Sequence, residues 1–239
     1  METKEYAFKI LRFDPEHDKS PVLKKYIISI QTGVRVLDGL IKIKEEQDGT
    51  LTFRRSCVHG ICGSCAMKIN GVNRLACQTL LKDLKSTIVV EPLPGFQIIK
   101  DLVVDLNPFF ESMEKIIPFL INDEPTGDKE RIQSPEDHHK ILESMTCILC
   151  ASCTSSCPSF WADKQYLGPS ALLKAYRFIN DSRDRAADER FDVINKANGL
   201  WRCHTVFNCT EICPKLIDVA KHIVQLKRLA AKRGLGIKN

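Results

Sequence analysis

The chain has 239 residues, a formal net charge of +5 and a hydrophobic fraction of 44%. The charge is too weak and too diffuse to predict a nucleic-acid partner, and no run approaches the roughly 18 apolar residues of a membrane span. The first residues lack a signal-peptide core, so we expect the chain neither to be exported nor to cross a bilayer itself. Eleven cysteines, an odd number in a long chain, argue against a disulfide framework.

The N-terminal third predicts a small mixed fold. Segments rich in aromatic and β-branched residues, and a hairpin signal at Asn70-Gly71, predict strands. The predicted strands cover residues 6–13, 23–30, 66–69, 72–76 and 87–91. Apolar residues recur at helical spacing from Val36, and Asp48-Gly49 ends that helix. Strand, strand, helix is the start of a β-grasp.

From residue 107 the pattern changes to helices. Asn107 and Ser134 are suitable caps that each precede a proline, and Gly168-Pro169 opens a third helix. A last helix is predicted after Cys213-Pro214. One face of the first of these helices is predicted to consist of Phe109, Phe110, Met113, Ile116 and Ile117. We therefore predict an α+β chain with two domains, residues 1–105 and residues 106–239.

The β-rich half has its own set of cysteines, which predicts a 2Fe-2S cluster. The proposed ligands are Cys57, Cys62, Cys65 and Cys77. The first three have the plant-type spacing, and the predicted hairpin would return Cys77 to this loop. Gly60 and Gly63 lie inside the loop, where glycine permits positive φ and close approach of the backbone.

Three further residues near this loop have competing interpretations. Arg54 and Arg55 directly precede it, and a positive charge there would raise the cluster potential. A solvated pair, or a contact to a partner's carboxylate, is the alternative. His59 could be a ligand only in a Rieske-like site, which needs two histidines. Since four cysteines suffice, we expect His59 to be a loop or interface residue.

Two cysteine runs in the helical half superimpose at an offset of 56 residues. Each run ends in Cys-Pro and has the spacing with which bacterial ferredoxins hold cubane clusters. The first run is Cys147, Cys150, Cys153 and Cys157, and the second is Cys203, Val206, Cys209 and Cys213. The second cysteine of the second run is therefore replaced by Val206.

The replacement divides the ligands unequally, because in two-cluster ferredoxins the fourth cysteine of each run ligates the other cluster. The predicted 4Fe-4S ligands are Cys147, Cys150, Cys153 and Cys213, and the predicted 3Fe-4S ligands are Cys157, Cys203 and Cys209. Three thiolates and a valine cannot anchor a fourth iron through the protein, so a 3Fe-4S cluster is predicted there. Zinc is the rival interpretation, but a third cysteine at the same spacing and the Cys-Pro endings favour clusters.

The chain resembles the iron-sulfur subunits of succinate:quinone oxidoreductases, the succinate dehydrogenase and fumarate reductase (complex II) family. The resemblance covers essentially the whole chain, including four motifs beside the cysteine spacings. These are Phe53-Arg54-Arg55-Ser56-Cys57, Lys100-Asp101-Leu102-Val103-Val104-Asp105, Cys157-Pro158-Ser159-Phe160-Trp161 and Asp181-Ser182-Arg183-Asp184. It implies a plant-type 2Fe-2S ferredoxin β-grasp domain followed by an all-α domain like bacterial ferredoxins.

The resemblance also implies a function in electron transport. In that family a flavoprotein subunit oxidises succinate at FAD, and electrons pass through 2Fe-2S, 4Fe-4S and 3Fe-4S clusters to a quinone. The quinone lies at membrane anchor subunits, which can carry haem b. No Gly-x-Gly-x-x-Gly follows a strand in this chain, so we expect a subunit with no catalytic residue of its own. It would be peripheral, on the cytoplasmic face of a bacterial inner membrane or on the matrix side in mitochondria.

The resemblance places candidate quinone residues beside the 3Fe-4S set. They are Pro158, Ser159, Trp161, His204 and Val206. A tryptophan can donate to a quinone carbonyl and a histidine can relay a proton, whereas packing and a backbone hydrogen bond are the alternatives. Many members have Trp-Trp and one more residue before the Gly-Pro, where this chain has Trp161-Ala162.

Two other functions stay open. A fumarate reductase subunit has the same architecture and runs the reaction in reverse, although His204 after Cys203 favours the dehydrogenase branch. A free-standing multi-cluster ferredoxin is a carrier of a different class. The helical surface is larger than such a carrier needs to bury its clusters.

Overall fold

A computed structural model describes residues 3–234 except 32, 127 and 128. The chain divides into two compact units. The first comprises Met1–Leu106 and Ile148–Ser156, and the second comprises Asn107–Cys147 and Cys157–Asn239. The centre of the first cubane-type cysteine run therefore belongs to the same unit as the N-terminal half of the chain.

A mixed five-stranded sheet forms the first unit. Its strands are β1 (Thr3–Arg12), β2 (Val22–Gln31), β3 (Ala66–Ile69), β4 (Val72–Leu75) and β5 (Thr87–Glu91). They lie in the order β2-β1-β5-β3-β4, and β1 is parallel to β5 while the other neighbours are antiparallel. Alternate side chains of β1, namely Tyr6, Phe8 and Ile10, point into the core because side chains alternate along a strand.

Helix α1 (Val36–Glu46) packs against this core. Gly39 lies against the ring of Phe8, and a Cβ there would come within 2.5 Å of the Phe8 Cζ atom. Glycine therefore allows the helix to approach the sheet closely. The predicted strands and this helix match the observed elements to within a few residues, and Asn70-Gly71 does form the hairpin turn, with both residues at positive φ.

A short ribbon of β6 (Ile98–Lys100) and β7 (Val103–Val104) was not predicted. Asp101 lies between these strands and is 1% exposed. Its carboxylate accepts hydrogen bonds from Arg12 Nε at 2.8 Å and from the backbone amides of Phe13 and Thr52 at 3.0 and 2.8 Å. This contact ties the end of β1 to the segment that leads into the first cysteine loop, and it gives the motif around Asp101 a structural role.

The second unit is helical, with no strand among its described residues. Its helices are α2 (Asn107–Glu114), α3 (Pro135–Met145), α5 (Pro158–Ala162), α6 (Gly168–Ile179), α7 (Ala187–Ile194), α8 (Asn208–Glu211) and α9 (Val219–Gly234), while α4 (Ser152–Ser155) belongs to the first unit. Helix α6 is central, since it packs against α2, α3, α7 and α9. No helix in the described part of the chain is long and apolar enough to span a membrane.

The Asp181-to-Asp184 motif is part of the scaffold of this unit. Asp184 binds the fully buried Arg190 at 2.5 Å, and the other guanidinium N–H groups donate to backbone carbonyls of residues 116, 117 and 119. Asp181 pairs with Arg177 and Arg183 at 2.6 and 2.8 Å. Buried charges are tolerated when they are paired and hydrogen-bonded in this way.

The face predicted for the helix from Asn107 is partly wrong. Phe110 is 43% exposed, while Phe109 and Met113 are buried. Helix α2 ends at Glu114, so the buried Ile116 lies in the turn after the helix and not on a helix face. Ile117 leaves the helical path altogether, at φ 53°.

Candidate metal centres

The loop of residues 57–65 surrounds the sulfur of Cys57. Backbone amides of His59, Ile61 and Cys62 point at the Cys57 Sγ atom over 3.5, 3.4 and 3.3 Å. These N–H groups, that of His59 first, lower the pKa of Cys57 to about 6. Hydrogen bonds to a sulfur favour its thiolate form, which is the form that binds iron.

Left-handed backbone conformations give this loop its shape. They occur at Val58 (φ 64°), Gly60 (φ 78°) and Gly63 (φ 72°). A Cβ on Gly60 would lie 2.9 Å from the Gln78 side chain, and a Cβ on Gly63 would lie 2.8 Å from the Cβ of Cys150. The positive φ predicted for both glycines is confirmed, and both also lie close to neighbouring segments of the same unit.

The hairpin of β3 and β4 returns the chain to this loop. The Ala76 amide donates to the Cys65 carbonyl at 3.0 Å, and Cys65 and Cys77 are both buried. Burial raises the pKa of Cys65 to about 12, and Cys77 and Cys62 add to the effect as negatively charged neighbours. The structure therefore brings the four predicted 2Fe-2S cysteines together, and burial disfavours the thiolate form of Cys65 in the absence of a cation.

Of the three residues with competing interpretations, Arg54 and His59 contact backbone carbonyls. Arg54 donates from Nη1 to the Val104 carbonyl at 2.8 Å, whereas Arg55 is exposed. The His59 ring is exposed, and its Nδ1 contacts the Cys57 carbonyl. The geometry thus gives His59 a role in the loop backbone.

The two cubane-type loops repeat in backbone conformation as well as in sequence. Leu149 and Ala151 have φ 54° and 63°, and their counterparts 56 residues later, Thr205 and Phe207, have φ 56° and 62°. Each pair opens a four-residue helix, α4 in the first loop and α8 in the second. The path of the backbone is retained at Val206, so only the ligand itself is missing there.

The predicted 4Fe-4S ligands are described in two pairs. Cys150 and Cys153 belong to the first unit, where Cys150 packs against Gly63. Cys147 and Cys213 belong to the second. Burial raises the pKa of Cys213, and the negative charge of Cys147 raises it further, which indicates that these two sulfurs are close neighbours. The complete set of four stays a prediction.

The predicted 3Fe-4S ligands come together in the second unit. Cys157 and Cys209 are buried, and Cys203 is half-buried. Burial raises the pKa of Cys209 to about 12, with Cys203 and Cys157 contributing as neighbouring charges. Val206 is 49% exposed. The donor set of three sulfurs suits an iron-sulfur cluster with one corner free of protein ligands.

The spacing of the sulfurs bears on the zinc alternative. In the described part of the chain, the one group of three or more His, Cys, Asp or Glu ligand atoms lying mutually within 4.8 Å is Asp14, Glu16 and His17. A single zinc ion with Zn–S bonds of about 2.3 Å would hold its sulfurs about 3.8 Å apart. Within either unit, no three described cysteine sulfurs lie mutually within 4.8 Å, which is a wider spacing than one zinc ion requires.

Comparisons with known proteins agree with these sites. The profile of a 2Fe-2S iron-sulfur cluster binding domain matches residues 7–111, and that of a 4Fe-4S dicluster domain matches residues 139–214. The succinate dehydrogenase iron-sulfur subunit of Paracoccus denitrificans is 47% identical over 95% of this chain and 88% of its own length. This chain belongs to the family of succinate dehydrogenase iron-sulfur subunits. It is an electron-transfer subunit of an oxidoreductase, with 2Fe-2S and 4Fe-4S cluster-binding domains.

Other family members show similar agreement. Succinate dehydrogenase [ubiquinone] iron-sulfur subunit 1, mitochondrial, from Oryza sativa is 48% identical over 93% of this chain and 81% of its own length. A chain of the Mycobacterium smegmatis Sdh1 complex in the apo form superimposes with a TM-score of 0.87 at 26% identity, covering 97% of this chain and 98% of that one.

The candidate quinone residues of this family member lie in the second unit. Trp161, His204, Pro158 and Val206 are exposed, and Ser159 is buried. Helix α5 begins directly after Cys157, and the Trp161 amide donates to the Cys157 carbonyl at 3.1 Å. Trp161 is thus attached through backbone to a predicted cluster ligand, with 48% of its surface open.

Sequence reasoning missed one residue of this second unit, Tyr166. It is completely buried beside Cys157, Cys203 and Cys209. No sequence signal identifies it, because its proximity to Cys203 depends on how the chain returns over nearly forty residues.

Proposed function

We propose that this subunit transfers electrons from the FAD of a flavoprotein subunit, where succinate is oxidised, to a quinone at membrane anchor subunits that can carry haem b. The complex would be a succinate:quinone oxidoreductase, and this chain would be peripheral to the membrane, on the cytoplasmic or matrix side. One observation carries the proposal. The two cysteine loops share a backbone conformation, and one of them has Val206 in place of a cysteine, in a chain related to known succinate dehydrogenase subunits.

The division into domains follows the same proposal. The mixed sheet with β1 parallel to β5 and α1 packed against its core supports a β-grasp of the plant-type ferredoxin class for residues 1–105. The helices of the second unit support an all-α ferredoxin-like domain for residues 106–239. Residues 148–156 lie in the proposed second domain but group with the first unit. The compact units therefore do not coincide with a single domain boundary in the sequence.

The cysteines would hold three clusters, which supply one-electron transfer when bound. The 2Fe-2S ligands would be Cys57, Cys62, Cys65 and Cys77; the 4Fe-4S ligands Cys147, Cys150, Cys153 and Cys213; and the 3Fe-4S ligands Cys157, Cys203 and Cys209. Together these sets use all eleven cysteines of the chain. No thiol is left over for a disulfide or for packing alone.

Individual residues of the chain define how these sites work. The amides around Cys57 stabilise its thiolate, and Gly63 lets the loop with Cys150 approach the first cysteine loop to within van der Waals contact. Such an approach shortens the distance between the two predicted ligand sets. Val206 leaves one corner of the last site without a thiolate, and Trp161 and His204 stand next to that site at the surface.

Electron paramagnetic resonance of the purified complex tests the proposal. We expect a 3Fe-4S signal in the oxidised protein, and 2Fe-2S and 4Fe-4S signals after chemical reduction. The chain should purify together with a flavoprotein, and succinate should reduce the oxidised-state signal. A protein that elutes alone would support a free carrier, reduction by quinol with fumarate as acceptor would support a fumarate reductase, and a colourless protein would contradict the cluster assignment.

The quinone assignment has its own test. We propose Pro158, Ser159, Trp161, His204 and Val206 as pocket residues because they adjoin the 3Fe-4S ligands in sequence and four of them are exposed. His204→Gln should slow succinate-driven quinone reduction while leaving electron transfer from succinate to an artificial acceptor unchanged. An equal loss in both assays would mean that His204 acts on the cluster or the fold rather than on quinone.

A further inference from the structure

A buried hydroxyl group in the second unit lacks a hydrogen-bond partner of regular geometry among the residues that the structure describes. The Tyr166 side chain is 0% exposed, and its Oη atom makes no hydrogen bond of regular geometry to any described residue, although the Cys203 sulfur is near enough to interact with it. Leaving a buried hydroxyl unsatisfied costs about 1–3 kcal/mol, so such groups are uncommon in native proteins. The described residues therefore give the Tyr166 hydroxyl no well-aligned acceptor, and its acceptor has to be sought among the groups around it.

The surroundings of Tyr166 contain three sulfurs. The phenol lies beside the sulfurs of Cys203, Cys157 and Cys209, and Cys203 interacts with it most strongly of the three. A tyrosine hydroxyl carries its proton at neutral pH and can act as a donor. Its sulfur neighbours are the three predicted 3Fe-4S ligands.

The backbone holds Tyr166 in this position. Its own amide donates to Asp163 at 3.2 Å, and the next residue, Leu167, donates to the Asn198 carbonyl at 3.0 Å. Helix α6, the central helix of the unit, begins two residues later at Gly168. Because the buried ring directly precedes a packed helix, its hydroxyl stays in the interior of the unit.

We propose that Tyr166 donates a hydrogen bond to the sulfur shell of the 3Fe-4S site, at the Cys203 thiolate or the adjacent cluster sulfide, and thereby raises the reduction potential of that site. This inference rests on the cluster assignment under the proposed function. Reduction adds one negative charge to the site, and a hydrogen-bond donor to sulfur stabilises the more negative state more strongly. Tyr166 would thus make the last site a better electron acceptor.

The 2Fe-2S loop offers a physical parallel. There, backbone amides supply the dipoles that point at the Cys57 sulfur. At the predicted 3Fe-4S ligands, the Tyr166 side chain would supply the hydrogen-bond donor. Its hydroxyl can be removed by mutation without altering the backbone. The effect is therefore open to a single-atom test.

The test is Tyr166→Phe in the whole complex, with each cluster titrated against potential and followed by its paramagnetic resonance signal. We expect the equilibrium constant for reduction of the 3Fe-4S site to fall about tenfold, which is about 59 mV for one electron. The 2Fe-2S and 4Fe-4S titrations should not move. Tyr176→Phe is the matched control, because it removes a hydroxyl in the same unit that donates to the Lys140 carbonyl at 3.3 Å.

A second replacement separates hydrogen bonding from a packing effect. Incorporating a ring-fluorinated tyrosine at position 166 keeps the shape and makes the phenol a stronger donor, so the 3Fe-4S potential should rise. A structural role would not produce opposite shifts for the two replacements. If Tyr166→Phe fails to retain the cluster, the fluorinated protein alone decides the question.

The outcomes distinguish the two claims. A native complex without a 3Fe-4S signal would overturn the cluster assignment and the role of Tyr166 with it. A native signal whose potential does not respond to either replacement, or responds in the same direction to both, would overturn the role of Tyr166 alone.

Discussion

Residues 147–157 and residues 203–213 share one backbone path but differ in what surrounds it. In the first loop Ala151 is 1% exposed and Cys150 packs against Gly63. In the second loop the counterparts, Phe207 and Val206, are 50% and 49% exposed. The cysteine is present where the loop is covered, and valine stands in its place where the loop is exposed. The comparison shows that valine can replace a cysteine without changing the fold of its loop.

The largest expected effect comes from removing this difference. Val206→Cys would place a thiolate at a position whose backbone already matches that of Cys150, so a fourth iron could be anchored. We expect the oxidised-state 3Fe-4S signal to be lost and the iron content to rise by one per chain. Val206→Ala is the control and should keep the native signal. An unchanged signal in the cysteine variant would mean that side-chain orientation, not the missing ligand, determines the cluster type.

The next effect concerns the contact between Gly63 and Cys150, which covers the loop of residues 147–157. Gly63→Ala would combine a left-handed backbone, costing about 1–2 kcal/mol, with an overlap against Cys150 that adds about 1–3 kcal/mol. Gly71→Ala has the same backbone cost at φ 83° but nothing within 4 Å of the new Cβ. The temperature at which the 2Fe-2S signal is lost should fall clearly further for Gly63→Ala. Equal falls would show that backbone strain alone requires glycine there.

A smaller effect is expected at Trp161, an exposed residue of helix α5, which follows the first loop. Trp161→Phe removes the indole N–H, and the loss of one hydrogen bond to quinone should slow quinone reduction up to about tenfold. Trp201→Phe is matched in exposure, but its N–H donates to Asn195 at 2.8 Å. It should leave quinone reduction unchanged. Steady-state rates with varied quinone measure both, and equal effects would argue against a direct contact at Trp161.

The smallest effect tests the shared backbone. Thr205 is a β-branched residue at φ 56°, a conformation that glycine adopts without strain. Thr205→Gly should raise the thermal midpoint of the 3Fe-4S signal slightly, by a net gain of about 0.5 kcal/mol. Thr205→Ala keeps most of the left-handed strain and should give less. A loss of stability in the glycine variant would show that the threonine side chain contributes packing that outweighs the strain.

Local patterns predicted much of the first unit. Alternating side chains, the Asn70-Gly71 turn and the helical spacing from Val36 are short-range signals, and each matches an observed element. The ribbon around Asp101 escaped prediction because its strands are only three and two residues long and depend on a buried carboxylate bonded to distant residues. Helix α7 was not predicted for a similar reason, since Arg190 anchors it through contacts with residues remote in sequence.

The cysteine spacings by themselves predicted the ligand sets and the missing ligand, because iron-sulfur ligation imposes strict short-range intervals along a chain. Only the tertiary structure decided that Gly63 meets Cys150, that Phe110 faces solvent and that Tyr166 lies beside three cysteines. Those relations arise from packing between segments far apart in sequence. Periodicity and spacing report on neighbours along the chain, whereas burial and close approach depend on which distant segments the folded chain brings together.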